Sequence, residues 1–175
     1  SLNSAGPLDM RMSPKMQVKA VDLLTALNVG ELEALFQRFG EESWARAIAA
    51  ELVRVRPLQN TLELATLVER VVKESRGKIH PATKIFQALR IAVNDELGSL
   101  ETGLPKILER LNSGGTLAVI SFQGLEDRIV KQSFRQWQEQ GRGAEMTDKP
   151  VQPTEQEVES NIQSRSAKLR VFRKV

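Results

Sequence analysis

The sequence predicts an α/β protein that is mostly helical and carries only part of an open α/β sheet. Residues 113–137, SGGTLAVISFQGLEDRIVKQSFRQW, join a short β-branched apolar run to an amphipathic segment. Almost everything before Ser113 instead spaces its apolar residues by three and four positions, which indicates helices. The predicted strand therefore needs partner strands that the preceding residues do not provide.

The region from Gln17 to about Glu74 contains four helical patterns. They are QVKAVDLLTALN, GELEALFQRFG, ESWARAIAAELVRVR and TLELATLVERVVKE, and the breaks fall at Gly30, Gly40 and Pro57. These patterns predict a small helical bundle. Its expected core includes Leu35, Phe39, Trp44, Ile48 and Leu52.

A further helix is predicted from Thr83 to Leu97, because Pro81 suits the first turn of a helix. One face of this helix is polar but nearly free of Glu and Lys, and it carries Thr83, Gln87, Arg90 and Asn94. Such a face is typical either of a hydrogen-bonded seam between two domains or of the wall of a substrate cleft. His80 lies just before the helix, and three roles are open for it: a cap, a packed imidazole, or a contact to a phosphate or base.

After a short helix in LPKILERLN, the strand TLAVISF is apolar enough to lie inside a sheet. Glu126 and Asp127 follow in the first turn of the next helix, where carboxylates favour the helix dipole and often act only as caps. The segment Ser121, Phe122, Gln123 lies at the carboxyl end of the strand, where open sheets place their reaction centre. We therefore expect these three residues to be catalytic.

The chain ends in a basic segment without acids, NIQSRSAKLRVFRKV. In a strand, Lys168 and Arg170 point to one side of the sheet, with Arg165 shortly before them. The segment is either a charged strand protected against edge pairing or a strip that faces RNA phosphates.

Composition excludes several classes of site. The 175 residues are 41% hydrophobic and 27% charged with a net charge of +3, which is ordinary for a globular protein. There is no cysteine and one histidine, so we expect no disulfide, no thiolate zinc site and no metal. No apolar run approaches the ~20 residues of a membrane span, and no signal peptide is evident, which predicts a cytoplasmic protein. The missing initial methionine suggests processing or a piece of a longer protein.

Four motifs in a fixed order resemble the carboxyl-terminal part of the MraW (RsmH) family. They are GPLDMRM, HPATKIFQALRIAVNDEL, SFQGLEDRIVK and SRSAKLRV, and the resemblance covers nearly the whole chain. Members of this family are bacterial methyltransferases that use S-adenosylmethionine to methylate N4 of a cytosine in small-subunit ribosomal RNA.

The resemblance implies a Rossmann-like methyltransferase sheet interrupted by a helical inserted domain. Residues 1–10 would end the first methyltransferase segment, residues 11–100 would form the inserted domain, and residues 101–175 would form the carboxyl-terminal part of the sheet domain. The unit in which a strand is followed by a glycine loop and a helix that bind a cofactor is not found in this sequence, since Gly114 and Gly115 precede a strand instead of following one. We therefore expect a missing amino-terminal half to bind S-adenosylmethionine, and this chain alone to be inactive.

The implied chemistry assigns roles to particular residues. The target cytosine must be unstacked and its amine oriented, so Ser121, Phe122 and Gln123 would line its pocket. Asp9 and Arg11 would brace another wall or form a structural salt bridge. The expected substrate-binding set, whose partner is small-subunit ribosomal RNA, is Asp9, Arg11, His80, Gln87, Arg90, Asn94, Arg165, Lys168 and Arg170.

The sequence departs from the family pattern at several positions. The family usually has histidine and serine where Gln123 and Gly124 stand, and aspartate where Ser13 stands. It also typically has NPRARSAKLR where this chain has NIQSRSAKLR. Glutamine forms hydrogen bonds but does not titrate near neutral pH, so a proton-transfer role of that histidine would be lost here. Two alternatives to the enzyme stay open, namely a non-enzymatic RNA-binding or ribosome-associated remnant and a helical protein-interaction module.

Overall fold

The computed structural model describes residues 4–72 and 80–175. The chain divides into two compact units, Ser1–Glu96 and Leu97–Val175. The predicted functional boundaries after residues 10 and 100 stay a prediction. Each unit has a hydrophobic core of its own.

The first unit is a helical bundle. Two of its helices are capped at their amino ends by asparagine side chains. Asn28 accepts a hydrogen bond from the Glu31 amide, and Asn60 accepts one from the Glu63 amide. The four helices predicted before Glu74 are present as far as residue 72, and the predicted end of the fourth lies outside the described residues. The helices are α1 (Ala20–Ala26), α2 (Val29–Gly40), α3 (Ala45–Val55), α4 (Thr61–Val71) and α5 (Thr83–Asn94).

The bundle core differs from the prediction at one large side chain. Ile48 and Leu52 are buried as expected, and Leu35 and Phe39 are partly buried. The prediction for Trp44 is wrong, because this residue precedes α3 as its N-cap and its side chain stays 44% exposed. The fully buried large side chains of the bundle include Leu32, Phe36, Leu64, Ile85 and Leu89.

The helix predicted from Thr83 to Leu97 ends earlier, at Asn94. Asp95 has a left-handed backbone with φ of 46°, which stops α5, and α6 (Glu96–Arg110) follows at once. Helix α6 therefore begins well before the predicted start at Leu104 and includes two glycines and Pro105. Burial of Leu104 and Leu108 in the second core outweighs the low helix propensity of glycine.

The second unit contains a three-stranded antiparallel sheet with the order β1-β3-β2. The interpretation of the last strand as a charged strand at the edge of the sheet is wrong, because β3 is the central strand and both of its edges are paired. The elements after α6 are β1 (Thr116–Ser121), α7 (Gly124–Glu139), β2 (Gly143–Glu145), α8 (Glu155–Ser160), a 3₁₀ helix (Ile162–Ser166) and β3 (Lys168–Lys174).

An aromatic cluster holds α7 against this sheet. The rings of Phe134, Trp137 and Phe172 lie with centroids 5.3–5.6 Å apart, in tilted and edge-on arrangements. At the carboxyl end of β3, the Lys174 ammonium donates to the Leu108 carbonyl at 3.0 Å and to the Leu111 carbonyl at 2.7 Å. A mostly helical chain with a small piece of sheet, as the sequence predicts, is therefore confirmed.

Candidate functional site

The end of β1 forms a turn, residues 121–124, that we call the strand-end turn. Ser121 is buried as the last residue of the strand, whereas the Phe122 side chain is 55% exposed. The Glu126 carboxylate accepts from the backbone amides of Phe122 at 3.0 Å and Gln123 at 3.1 Å. This acceptor satisfies two amides that precede α7, and it fixes the turn with the aromatic ring outside the core.

Gln123 contributes an acceptor that lacks a partner. Its Oε1 atom is buried, and no donor among residues 4–72 and 80–175 reaches it. An unpaired buried amide oxygen costs on the order of 1–3 kcal/mol, so an incoming N–H group would gain a hydrogen bond here. The exposed ring of Phe122 and this acceptor belong to adjacent residues of the same turn.

Behind the strand-end turn, β3 and α7 are joined by an ionic network. The Asp127 carboxylate accepts from Arg170 Nε at 2.7 Å and from Lys168 Nζ at 3.4 Å. Arg170 also lies 3.3 Å from the Glu145 carboxylate through Nη1. The Arg170 side chain is only 6% exposed and the Asp127 side chain 13%. The network therefore fixes the start of α7 against the centre of the sheet.

Electrostatics within this network keep Asp127 ionised. Burial raises the pKa of Asp127, but the hydrogen bond and charge of Arg170, with the charge of Lys168, lower this pKa below its ordinary value of 3.8. The hydrogen bond that Arg170 donates to Asp127 raises the pKa of Arg170, against the opposing effect of burial. Both groups carry their full charge at neutral pH.

These contacts change the interpretation of the basic segment. Arg170 does not lie on an accessible face, because two carboxylates enclose its guanidinium, which corrects the expectation of a strip open to phosphates. Lys168 is half-buried beside Asp127, while Arg165 is exposed in the 3₁₀ helix. RNA contacts by Arg165 and Lys168 stay a prediction, and Arg170 is better assigned to positioning.

In the first unit, Asp9 and Arg11 form a two-pronged ion pair. Arg11 Nε lies 2.6 Å from Asp9 Oδ1, and Nη2 lies 2.8 Å from Oδ2. Hydrogen bonding to Arg11 lowers the pKa of Asp9 from 3.8 to about 2, although burial acts in the opposite direction. Since Arg11 Nη1 also donates to the Met16 carbonyl at 2.7 Å, its guanidinium holds the local chain together.

Asn94 holds the same turn from the end of α5. Its Nδ2 donates to the carbonyls of Met10 and Arg90, both at 2.8 Å, and its Oδ1 accepts from the Met12 amide at 2.7 Å. Met10 has a φ of 60°, a left-handed backbone that is unfavourable for a non-glycine residue. The side chain of Asn94 therefore stabilises a strained turn between Asp9 and Met12.

The rest of the polar face of α5 is also bound internally. Gln87 Nε2 donates to the Phe39 carbonyl at 3.2 Å, and Arg90 Nε donates to the Glu96 carboxylate at 2.8 Å. These contacts favour the interpretation as a hydrogen-bonded seam, here within the first unit. Substrate contacts by Gln87, Arg90 and Asn94 stay predictions.

Both ring nitrogens of His80 make internal contacts just before α5. Its Nδ1 accepts from the Ala82 amide at 3.1 Å, and its Nε2 lies 2.8 Å from the Glu69 carboxylate. The N-cap residue of α5 is Ala82, so His80 does not cap the helix itself. A contact between His80 and RNA stays a prediction.

Sequence reasoning missed part of the ionic network. Asp127 was expected mainly as a helix cap, and Glu145 was not singled out. An acid in the first turn of a helix is already explained by the helix dipole, so the sequence provides no reason to expect the ion pair between Asp127 and Arg170. Glu145 carries no local signal, since its partner Arg170 is 25 residues away along the chain.

That S-adenosylmethionine is bound outside the described residues stays a prediction. A methyl-donor loop would bring a ligand close to a glycine backbone at a strand end. Gly124 is the glycine at such a position, and the space where its Cβ atom would lie is open, with no atom within 4 Å. Among the residues described, no group of three acidic or histidine side chains is arranged to hold a metal ion.

No helix in the described parts of the chain combines the length and apolar character needed to cross a bilayer.

Comparison with known proteins identifies the family. The model of the MraW methylase family matches residues 1–175. The chain is 51% identical over 177 residues to ribosomal RNA small subunit methyltransferase H of Coprothermobacter proteolyticus, covering 99% of this chain and 59% of the relative. It is 49% identical to the protein of that name from a Synechococcus strain, covering 98% of this chain and 54% of the relative. For the Leptospira interrogans protein the identity is 43%, with 99% and 54% covered. The chain spans just over half of the length of these relatives, and it belongs to the MraW methylase family.

Proposed function

We propose that this chain is the substrate-side portion of an enzyme that methylates N4 of a cytosine in small-subunit ribosomal RNA, with S-adenosylmethionine as methyl donor. The observation that carries the proposal is the strand-end turn, where an exposed aromatic ring adjoins an unpartnered acceptor. The names of the relatives, ribosomal RNA small subunit methyltransferase H, support ribosomal RNA as the substrate.

Phe122 is suited to hold an unstacked base. A large apolar side chain that is 55% exposed at the end of a strand gains little from core packing. Stacking of a base on an aromatic ring contributes roughly 1–3 kcal/mol and offsets part of the cost of removing the base from its helix. The backbone of Phe122 is already fixed by Glu126, so the ring is presented without further ordering of the turn.

Gln123 is suited to orient the target amine. The exocyclic amine of cytosine is a weak nucleophile because its lone pair is delocalised into the ring, so its orientation contributes much of the rate. The amine has two N–H donors, and the Oε1 atom of Gln123 is buried and has no partner in this structure. In the proposed complex the Gln123 side chain turns toward the base, and its Oε1 atom then accepts from the amine. Since an amide does not titrate near neutral pH, Gln123 acts by hydrogen bonding alone.

Ser121, Asp127 and Arg170 support this geometry without touching the base. The Ser121 hydroxyl is buried and lies 3.5 Å from the Lys168 carbonyl, so its contribution is the register of β1 on β3. Asp127 and Arg170 fix α7 at its first turn. In this proposal, Phe122 and Gln123 contact the substrate, and Arg170 is a positioning residue.

The methyl donor would be bound by a part of the enzyme that corresponds to the remaining length of the relatives, because this sequence has no unit of strand, glycine loop and helix for it. The proposed enzyme acts in the cytoplasm, where its ribosomal substrate is found. A non-enzymatic RNA-binding remnant is the second candidate. The missing cofactor-binding unit, together with Gln123 in place of the usual histidine, favours that candidate.

A chimaeric enzyme tests the proposal. This chain would replace the aligned region of the Coprothermobacter proteolyticus relative, with which it shares 51% identity. We expect transfer of labelled methyl groups from S-adenosylmethionine to small-subunit ribosomal RNA. Phe122→Ala should lower turnover more than tenfold, whereas Met146→Ala, which also truncates a 55% exposed apolar side chain, should not.

The two candidate functions predict different failures. If the chimaera folds, binds both S-adenosylmethionine and RNA, and still transfers no methyl group, the remnant interpretation is correct. If the chimaera is active and Phe122→Ala retains full turnover, the proposed stacking role is wrong.

A further inference from the structure

Over most of its length, the outer face of α7 exposes only side chains that end in a cation or an amide. The exposed side chains of this face, which we call the α7 face, are Arg128, Lys131, Gln132, Arg135 and Gln136. We propose that the α7 face binds the phosphate backbone of the RNA strand beside the target nucleotide. This inference deepens the proposed function and rests on it for the identity of the RNA.

Charge along α7 is unevenly distributed. Glu126 and Asp127 lie in its first turn, and Glu139 is its last residue. Between Arg128 and Gln138 there is no acid. An ordinary solvated helix mixes both signs of charge, whereas Lys131 and Arg135 lie in a segment of α7 that has no acid of its own.

Three of the four cations of β3 have partners, while the fourth, Arg173, is exposed. Lys168 and Arg170 are paired with Asp127, and Lys174 donates to two carbonyls of α6 and the residue after it. Lys131 and Arg135, in contrast, form no ion pair with any residue in 4–72 or 80–175. Exposed cations without carboxylate partners are the groups that neutralise phosphates most effectively, because no ion pair has to be broken.

The position of the helix links the α7 face to the strand-end turn. Helix α7 begins at Gly124, directly after Gln123. With a rise of 1.5 Å per residue, Arg128, Lys131 and Arg135 lie about 6, 10 and 16 Å along the axis from the start of the helix. An RNA strand whose base reaches Phe122 would therefore pass successive cations as it leaves the turn.

The composition of the α7 face favours RNA over an acidic protein. Protein interfaces depend on apolar or aromatic anchors at their centre, and the α7 face has none. Glutamine amides beside lysine and arginine are instead typical of contacts to phosphate and ribose oxygens. The sequence did not indicate this surface, because its most evident basic segment is the one at the carboxyl end, which includes β3.

The test measures binding of the whole chain to transcribed small-subunit ribosomal RNA over a range of salt concentrations. The variant combines Arg128→Gln, Lys131→Gln and Arg135→Gln. We expect at least tenfold weaker binding at 0.1 M salt. We also expect the slope of log affinity against log salt to become shallower by about 2, because each phosphate contact contributes roughly 0.7–0.9 to it. The matched control, Lys15→Gln with Arg46→Gln and Lys149→Gln, removes the same charge from exposed positions elsewhere and should change the slope little.

The outcomes separate this inference from the proposed function. An unchanged slope, equal effects of the two triple variants, or no RNA binding by the wild-type chain would overturn the inference. Equal affinity for polyglutamate, with the same dependence on the α7 face, would also overturn it in favour of an acidic protein. If RNA binding depends on the α7 face but the chimaera transfers no methyl group, the inference holds and the proposed function fails. Should the triple variant not fold, cross-linking of the wild-type chain to RNA decides the question, since the inference requires cross-links in peptides of α7.

Discussion

The ionic network around Asp127 predicts a large and specific loss of stability in the second unit. Replacement of Asp127 by alanine would leave the Arg170 guanidinium, which is 6% exposed, with Glu145 as its remaining carboxylate at 3.3 Å. Removing one partner of a buried ion pair typically costs about 3–5 kcal/mol, because the other charge stays buried without full compensation. That loss is a large share of the ~5–15 kcal/mol that stabilises an average domain.

Trp137 provides a fluorescence signal for this unit. Its side chain is 4% exposed in the second core, while Trp44 is 44% exposed in the first unit. In a Trp44→Phe background, urea unfolding followed by fluorescence therefore reports on the second unit. We expect Asp127→Ala to lower its free energy of unfolding by about 3–5 kcal/mol. The exposed control Asp148→Asn should change it by less than about 0.5 kcal/mol.

The same network predicts a pH dependence of stability. Because the pKa of Asp127 in the folded chain lies below its ordinary value of 3.8, its contribution is complete above that value. The contribution is lost as the pH falls through the lowered folded pKa. The wild-type chain should therefore lose an acid-dependent part of its stability that Asp127→Asn lacks. A free energy of unfolding for Asp127→Ala within 0.5 kcal/mol of wild type at pH 7 would refute the reasoning.

Three further predictions concern the cofactor, the Asn94 contact and Gln123. The isolated chain should show no saturable binding of S-adenosylmethionine in calorimetric titration, since its sequence has no unit of strand, glycine loop and helix for the cofactor, and micromolar binding would contradict this. Asn94→Ala removes three hydrogen bonds from a strained turn and should destabilise the first unit by about 2–4 kcal/mol. Hydrogen exchange at the Met12 amide should also become faster, and an unchanged exchange rate would show that Asn94 does not hold the turn. In the chimaera, Gln123→Ala should lower turnover far more than stability, and Gln123→His should add an inflection to the pH profile near 6.5 that the wild type lacks. Wild-type turnover of Gln123→Ala would remove this residue from the site.

Much of the fold follows from local patterns. The apolar spacing in the first unit fixes which face of each helix is buried, so α2, α3 and α4 appear where the sequence predicts them. The strand β1 and the helix α7 are likewise recognised from the change in period after Ser121. These elements are predictable because their signals lie within ten to twenty neighbouring residues.

The errors arise where a distant contact decides the outcome. Helix α6 includes glycines that argue against a helix, but its leucines pack on Phe134 and Phe172 of other elements. The central position of β3 depends on pairing with β1 and β2, which no local pattern reveals. Arg170 was expected to face RNA for the same reason, because Glu145 and Asp127 lie far from it in sequence.

The candidate site was predictable in its location and less so in its details. The position of Ser121, Phe122 and Gln123 at the end of a strand followed from the sequence alone. The exposure of Phe122 and the missing partner of Gln123 did not, because both depend on how Glu126 binds the turn. Composition likewise gave no indication that Lys131 and Arg135 on α7 form no ion pair within the described residues, whereas Lys168 and Arg170 on β3 are paired.

Mass spectrometry of ribosomal nucleosides decides whether this chain takes part in the methylation of cytosine N4. A bacterial host that lacks its own member of this family would express the chimaera that contains this chain. We expect N4-methylated cytidine to return to the small-subunit ribosomal RNA, and Phe122→Ala to lower its level sharply while Met146→Ala does not. If the small-subunit RNA stays unmethylated at cytosine N4 in cells that contain the folded chimaera, this chain does not serve the proposed reaction.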